Sequence, residues 1–294
     1  MSDTNASLRR KIHGAKDLQA VVRTMKAVAA SSIVQYEKSV SALGDYYRTV
    51  ELGLSACFRH NESPTQIAAR IKNPVVGAIV FGSDQGLVGQ FNDVVANYAI
   101  GILATLPANP EIWAVGERIH ARLTDAGLPP IGLFNVPNSV KAITPLVRQV
   151  LVESETRHSK GKISELYLFY HHPTSGSAYE PVCQRLLPLD ETWRCNLLKL
   201  PWPKGSLPEV MGDNTTTLRA IVRSYLFVSL FRACAESLAS ENASRLAAMQ
   251  RAEKNINELL EELTGVFHRL RQSGIDEELF DVISGFEALS TKEK

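Results

Sequence analysis

The sequence predicts an α/β protein. A long antiparallel coiled coil forms from N- and C-terminal helices, and a small Rossmann-like α/β domain lies between them. Three observations lead there. All 14 prolines fall between Pro64 and Pro208, and proline breaks helix interiors, so each proline-free flank has room for a long helix. Both flanks carry apolar residues at alternating steps of three and four. The middle alternates strand-like and helix-like runs, the β-α-β order of a mostly parallel sheet. The division that follows is residues 1–63 for the N-terminal coiled-coil helix, 64–208 for the α/β domain with an extended loop, and 209–294 for the C-terminal coiled-coil helix.

In the first flank, Leu18, Val22, Met25, Ala29, Ile33, Tyr36, Val40, Leu43 and Tyr47 form a heptad seam with one stutter, extended upstream by Leu8, Ile12 and Ala15. The expected helix covers residues 4–58, about 80 Å at the helical rise. In the last flank Ile256, Leu259, Leu263, Val266 and Leu270 set the seam. Leu246 and Met249 lead in, and Ile275, Leu279, Val282 and Phe286 continue after a phase shift near Gly274. Asp213 or one of Thr215 to Thr217 can cap the start. The expected span is 216–289, roughly 110 Å, so about 30 Å of the second helix should outrun the first.

Between the flanks, Val75–Phe81 is a continuous apolar run, as in a strand buried on both faces. Residues 91–106 read as helix, 112–115 as strand, 117–125 as helix and 131–136 as a weaker strand. Residues 140–155 read as helix with Pro145 in the first turn. Strands at 165–171 and 182–187 follow, joined by a turn containing Ser175-Gly176-Ser177. Residues 188–215 read as an extended loop.

Composition narrows the function. Lys plus Arg is 32 and Asp plus Glu is 31, so no global positive field is available to grip nucleic acid. Cys57, Cys183, Cys195 and Cys234 have no CxxC spacing, which disfavours a zinc site or disulfide framework. The N-terminus lacks the apolar stretch of a secretory signal. The most apolar helical candidate, Leu218–Leu238, contains Arg219, Arg223, Arg232 and Glu236, and is no membrane span.

Local motifs are weak as chemistry. Gly82 to Asn92 (GSDQGLVGQFN) follows a strand and enters a helix, where a phosphate-binding turn would sit. It matches neither GxGxxG nor GK[ST], and a structural turn is the better reading. His171 and His172 end a strand and point to opposite faces, so they read as strand-end polar residues rather than ligands of one ion. No catalytic residue, cofactor or metal is expected. The first 26 residues carry six basic and two acidic side chains, whereas 209–294 carry ten and fourteen. That bias suits docking of the two helices, and equally steering towards acidic partner loops.

These residues together resemble the gamma subunit of rotary F-type ATP synthase over nearly the whole chain. The carrying segments are Leu8–Ile12 with Arg23–Ala30, Ser83–Gly89 with Asn92, Ala239–Met249, Arg271-Gln272 and Ile283–Gly285. The resemblance implies a central-stalk rotor, non-catalytic on its own, that couples ion flow through a membrane ring to ATP synthesis or hydrolysis. Implied partners are the alpha and beta subunits of a catalytic hexamer, the epsilon subunit and the ring of c subunits. The implied location is peripheral, on the cytoplasmic face of the bacterial inner membrane.

By the same resemblance, Met25, Lys26, Arg245, Arg271, Gln272 and Asp276 correspond to partner contacts. Asp84, Gly86, Gly89 and Asn92 match the family's glycine turn, and Tyr179, Glu180 and Pro181 a motif facing the base. Val88 stands where the family usually has Cys, Leu246 where it has Met, and Asp276 where Thr is common. The Trp- and Pro-rich stretch 188–215 also departs from the pattern. Together these mark a divergent member, as in alternative ATPases coupled to sodium ions instead of protons. The alternative from another class is a non-rotary coiled-coil adaptor displaying an α/β domain.

Overall fold

The computed structural model describes residues 5–60, 75–106, 110–161, 163–174, 178–189, 191–202, 209–210 and 213–290. The expected turn at 175–177 lies outside them. The chain forms two compact units: residues 1–28 with 246–294, and residues 29–245. Two helices run through both, α1 (Asn5–His60) and α6 (Asn214–Ser290).

The heptad reading is right in period and in most of its positions, but wrong at Leu18 and in its stutter. Leu8, Ala15, Val22, Ala29, Tyr36, Val50 and Cys57 are buried, and partly buried Leu43 completes an unbroken seven-residue row. No stutter interrupts it. Leu18 is 59% exposed, not a seam residue. The second row of the seam passes through Ile12, Gln19, Lys26 and Ile33 instead, and hydrophobicity alone does not favour Gln or Lys there. Leu259 and Leu270 are likewise 45% and 38% exposed, while Leu260 and Phe267 are partly buried in their stead.

In the first unit the helices are antiparallel. Arg9 stacks on the Phe267 ring at 5.3 Å, Gln19 donates to Asn257, and Arg23 and Lys26 both reach Glu253. Beyond Phe267, α6 exposes Ile275, Leu279, Phe280 and Val282, each more than half accessible. From residue 268 to its end at Ser290, α6 runs about 34 Å past its last described partner.

The second unit contains the sheet. Its strands are β1 (Val76–Phe81), β2 (Glu111–Val115), β3 (Gly132–Phe134), β4 (Glu165–Pro173) and β5 (Tyr179–Leu187). Their order is β3-β2-β1-β4-β5, parallel except for the antiparallel β4–β5 pair. Every residue of β1 is buried, as its unbroken apolar run predicts. Alternate residues feed two cores. Val76, Ala78, Val80, Ile112 and Ala114 face α2 (Phe91–Leu103) and α3 (Glu117–Asp125). Ile79, Phe81, Trp113 and Leu168 join Leu54, Ile143 and Leu230, from α1, α4 (Val140–Ser159) and α6.

Three local expectations change. Pro145 is the sixth residue of α4, inside the helix rather than in its first turn. The stretch read as extended loop contains α5 (Glu191–Leu198). Trp193 of α5 packs edge-on against Phe58 and Tyr225, a tertiary contact with no signature in a short, weakly periodic segment. Strand β5 begins at Tyr179, three residues earlier than its apolar run, because Tyr179 pairs with Pro173. The cap expectation holds: Asp213 accepts the amides of Thr215 and Thr216 and both their hydroxyls. Those hydrogen bonds hold its carboxyl well below the usual range.

The corrected seam is testable by urea unfolding. Leu54, fully buried, should cost about 2–5 kcal/mol when changed to Ala. Leu18→Ala should stay within about 0.5 kcal/mol. Equal losses would contradict the register.

Candidate functional site

A polar row on α6 meets the sheet within the second unit. Glu236, Ser240 and Ser244 recur every four residues and so share one helical face. All three are buried. A buried polar group is costly unless partnered, and each has a specific partner.

Glu236, 3% exposed at its side chain, accepts from Arg232 Nε at 2.7 Å and from His172 Nδ1 at 2.8 Å. Ser240 donates to the carbonyl of His171 at 3.2 Å. Ser244 donates its single proton to the carbonyl of Val88, so the Tyr179 hydroxyl, 3.0 Å away, must donate to Ser244 Oγ. The row thus ties α6 to β4, β5 and the turn after β1.

His171 is fully buried between Phe91 and Tyr179, with ring centroids 4.4 and 4.7 Å away. Its Nε2 lies 2.8 Å from the Phe91 carbonyl. A carbonyl only accepts, so Nε2 carries the proton. Burial pushes the His171 pKa down, partly opposed by that bond. The two histidines do point to opposite faces, yet both have structural work that the strand-end reading missed. The signal that could have found the site was the four-residue polar spacing inside a run of small residues.

The glycine turn is the other half of the joint. Asp84 caps two segments, accepting the amides of Glu117 at 3.0 Å and Val136 at 2.9 Å. Asn92 accepts the Ser83 amide at 3.0 Å and donates to Ser83 Oγ at 2.8 Å. Gly89 takes a left-handed φ of +58°, and Leu87 does so at +63°, a conformation that costs a non-glycine residue roughly 1–2 kcal/mol. Gly86 is half-buried in the same turn. At Gly82 a Cβ would come within 2.3 Å of Ile119, so the strand approaches α3 as only glycine allows. Two amides of the turn are engaged, that of Ser83 by Asn92 and that of Phe91 by the Val88 carbonyl. Tyr179 joins the joint, whereas Glu180 is exposed and pairs with His172, and Pro181 is half-buried opposite His171.

Arg245 lies one turn beyond Glu241, its guanidinium 2.6 Å from the Glu241 carboxylate and 13% exposed. Both line a cavity of about 220 Å³ with Tyr36, Asp84 and Asn242. Burial raises the Glu241 pKa, the Arg245 charge opposes that, and Asp84 adds to it.

The remaining expected contacts lie in the first unit. Met25 is half-buried, and Lys26 Nζ sits 2.6 Å from Glu253 beside Arg23, at 2.9 Å. Arg271, Gln272 and Asp276 are exposed on α6, past Phe267.

A joint of this kind fixes one long helix to a sheet. Comparison with known proteins shows where such a chain occurs. The family profile described as ATP synthase matches residues 4–289. The chain belongs to the ATP synthase family. Relatives in this family include the ATP synthase gamma chain of Nitrosomonas eutropha, 28% identical over 97% of this chain and 99% of that one. The gamma chain of Clostridium pasteurianum is 27% identical over 96% and 97%. The fold matches the rotor of Euglena gracilis mitochondrial ATP synthase, TM-score 0.63 at 18% identity, over 92% of this chain and 98% of that one. It also matches the central stalk and c-ring structure from Tetrahymena thermophila, TM-score 0.55 at 20% identity, over 79% and 99%. Among the described residues no helix is long and apolar enough to cross a membrane.

The joint should respond to acid. His171 binds its proton less readily folded than unfolded, so below its ordinary value of about 6.5 the unfolded chain takes up more protons. Stability should therefore fall as pH drops from about 6.5, and not change on this account above it. His171→Gln, which keeps a donor, should flatten that slope in urea midpoints. An unchanged slope would locate the effect elsewhere.

Proposed function

We propose that this chain is the rotor of an F-type ATP synthase. It couples ion flow through a membrane ring to ATP synthesis or hydrolysis in a catalytic hexamer by rotation. The observation that carries this reading is the α6 joint. A helix clamped to a sheet by buried, fully specified polar contacts passes torque without slipping, and a bare apolar-faced extension needs a surrounding partner, since an isolated helix is marginal in water.

In this reading residues 64–208 are the base, which meets the c-subunit ring and the epsilon subunit, and residues 1–63 and 209–294 form the shaft. The alpha and beta subunits enclose that shaft. Met25, Lys26, Arg245, Arg271, Gln272 and Asp276 meet their loops. Asp84, Gly86, Gly89, Asn92, Tyr179, Glu180 and Pro181 hold or border the base. The assembly sits peripherally on the cytoplasmic face of a bacterial inner membrane. A lopsided shaft favours one beta-subunit conformation at each angle, and coupling requires such a difference in contact energy. Lys26 and Arg23 already spend their charge on Glu253. A further cation at position 25 would exceed what Glu253 can neutralise and would seek partner carboxylates.

Purification of the membrane assembly through a tag on this chain tests the reading. It should yield alpha and beta subunits at about three copies each. In that assembly Met25→Lys should leave ATP hydrolysis measurable and cut ion pumping several-fold, with the thermal midpoint of the chain unchanged. Absence of both subunits, or normal pumping in the variant, would overturn the rotor reading or its contact assignment respectively.

A further inference from the structure

Away from the joint, the second unit contains a cavity of about 520 Å³ between the end of α1, the last turns of α4, the end of β5 and the first turns of α6. That volume falls in the range of about 300–1,000 Å³ typical of small-molecule sites. Its wall is apolar: Phe58, Leu189, Leu218 and Leu226 are each less than 9% exposed, and Val222 adds a half-buried face. Its mouth is cationic. Arg219 and Arg223 sit one helical turn apart on α6, and His158 approaches from α4. The one carboxylate among the described lining residues, Glu155, lies 3.5 Å from Arg223 in an exposed pair, a contact worth at most about 1 kcal/mol. Arg219 has no ion pair among the described residues.

An apolar recess whose rim carries two guanidinium groups, that of Arg219 without an ion pair among the described residues, calls for a ligand with an apolar body and a negative end. We propose that this cavity binds a single-chain fatty acid, its tail against Phe58, Leu218 and Leu226 and its carboxylate on Arg219 and Arg223. A guanidinium can hold a carboxylate through two parallel hydrogen bonds. A two-chain phospholipid does not suit one recess of this volume. A cationic amphiphile would place its head against two arginines. The proposal is independent of rotation, since it concerns the start of α6 and neither the joint nor the exposed end.

Calorimetric titration of the full chain below the micelle concentration tests it, with decanoate as the probe. Decanoate should bind saturably at one site. Decanol and decyltrimethylammonium should bind at least tenfold more weakly. Val222→Trp, which fills the recess, should weaken decanoate at least tenfold. Arg219→Glu should weaken decanoate by a similar factor and leave decanol unchanged. No saturable decanoate binding, equal affinity for the cationic probe, or undiminished binding in a folded Val222→Trp chain would each overturn the proposal. Should a variant fail to fold by circular dichroism, the three probes on the unaltered chain still decide it.

Discussion

The attachment of α6 to the sheet rests on three buried polar side chains one helical turn apart. Glu236, Ser240 and Ser244 could not lie in that interior unpartnered. Each is satisfied by a group at a fixed place: His172 and Arg232, the His171 carbonyl, and the Val88 carbonyl with Tyr179. Apolar packing alone tolerates a helix sliding by a fraction of a turn. Hydrogen bonds of defined direction do not, and a slip would leave several groups unsatisfied at once. The turn after β1 is shaped for the same purpose. Its left-handed residues and the Asp84 and Asn92 caps hold the Val88 carbonyl where Ser244 meets it.

The helix pair divides its work differently along its length. In the second unit the seam is packed with small, aliphatic and aromatic residues, such as Ala233, Ala235, Ala239, Leu54 and Tyr225, and is continuous with the main core. In the first unit it carries Gln19, Asn257, Lys26 and Glu253, whose exposed ion pairs and hydrogen bonds add little stability individually. They do fix the antiparallel register, since polar groups in a seam tolerate few alternative alignments. For the rotor proposed above, register matters more than depth of burial.

The sequence made the architecture legible because the relevant signals were local. Proline placement bounded α1 and α6 to within a few residues, the all-apolar run from Val76 to Phe81 announced a doubly buried strand, and Asp213 marked a helix start. Phase was harder. Leu18 looks like a seam residue beside Val22, yet the true row runs through Gln19 and Lys26, whose partners Asn257 and Glu253 lie more than 200 residues away. Helix α5 was hidden for a related reason: Trp193 is ordered by Phe58 and Tyr225, from α1 and α6. The site was half visible. The resemblance picked out Asp84, Asn92 and Tyr179, and the structure joins them to one clamp, but Ser240 and Ser244 read as ordinary small residues until their carbonyl partners are in place. The opposite facing of His171 and His172 follows from strand geometry, while their separate roles depend on Phe91 and Glu236.

Rigid transmission across the clamp is the claim to measure. A reversible disulfide between Val88→Cys and Ser244→Cys would replace the hydrogen bond by a covalent bridge. In single assembled complexes, ATP-driven rotation should run at the same speed oxidised or reduced, because a joint that does not flex loses nothing by being locked. A stall on oxidation, relieved on reduction, would show that the helix and sheet move against each other during the cycle, and the account of a rigid shaft would fail.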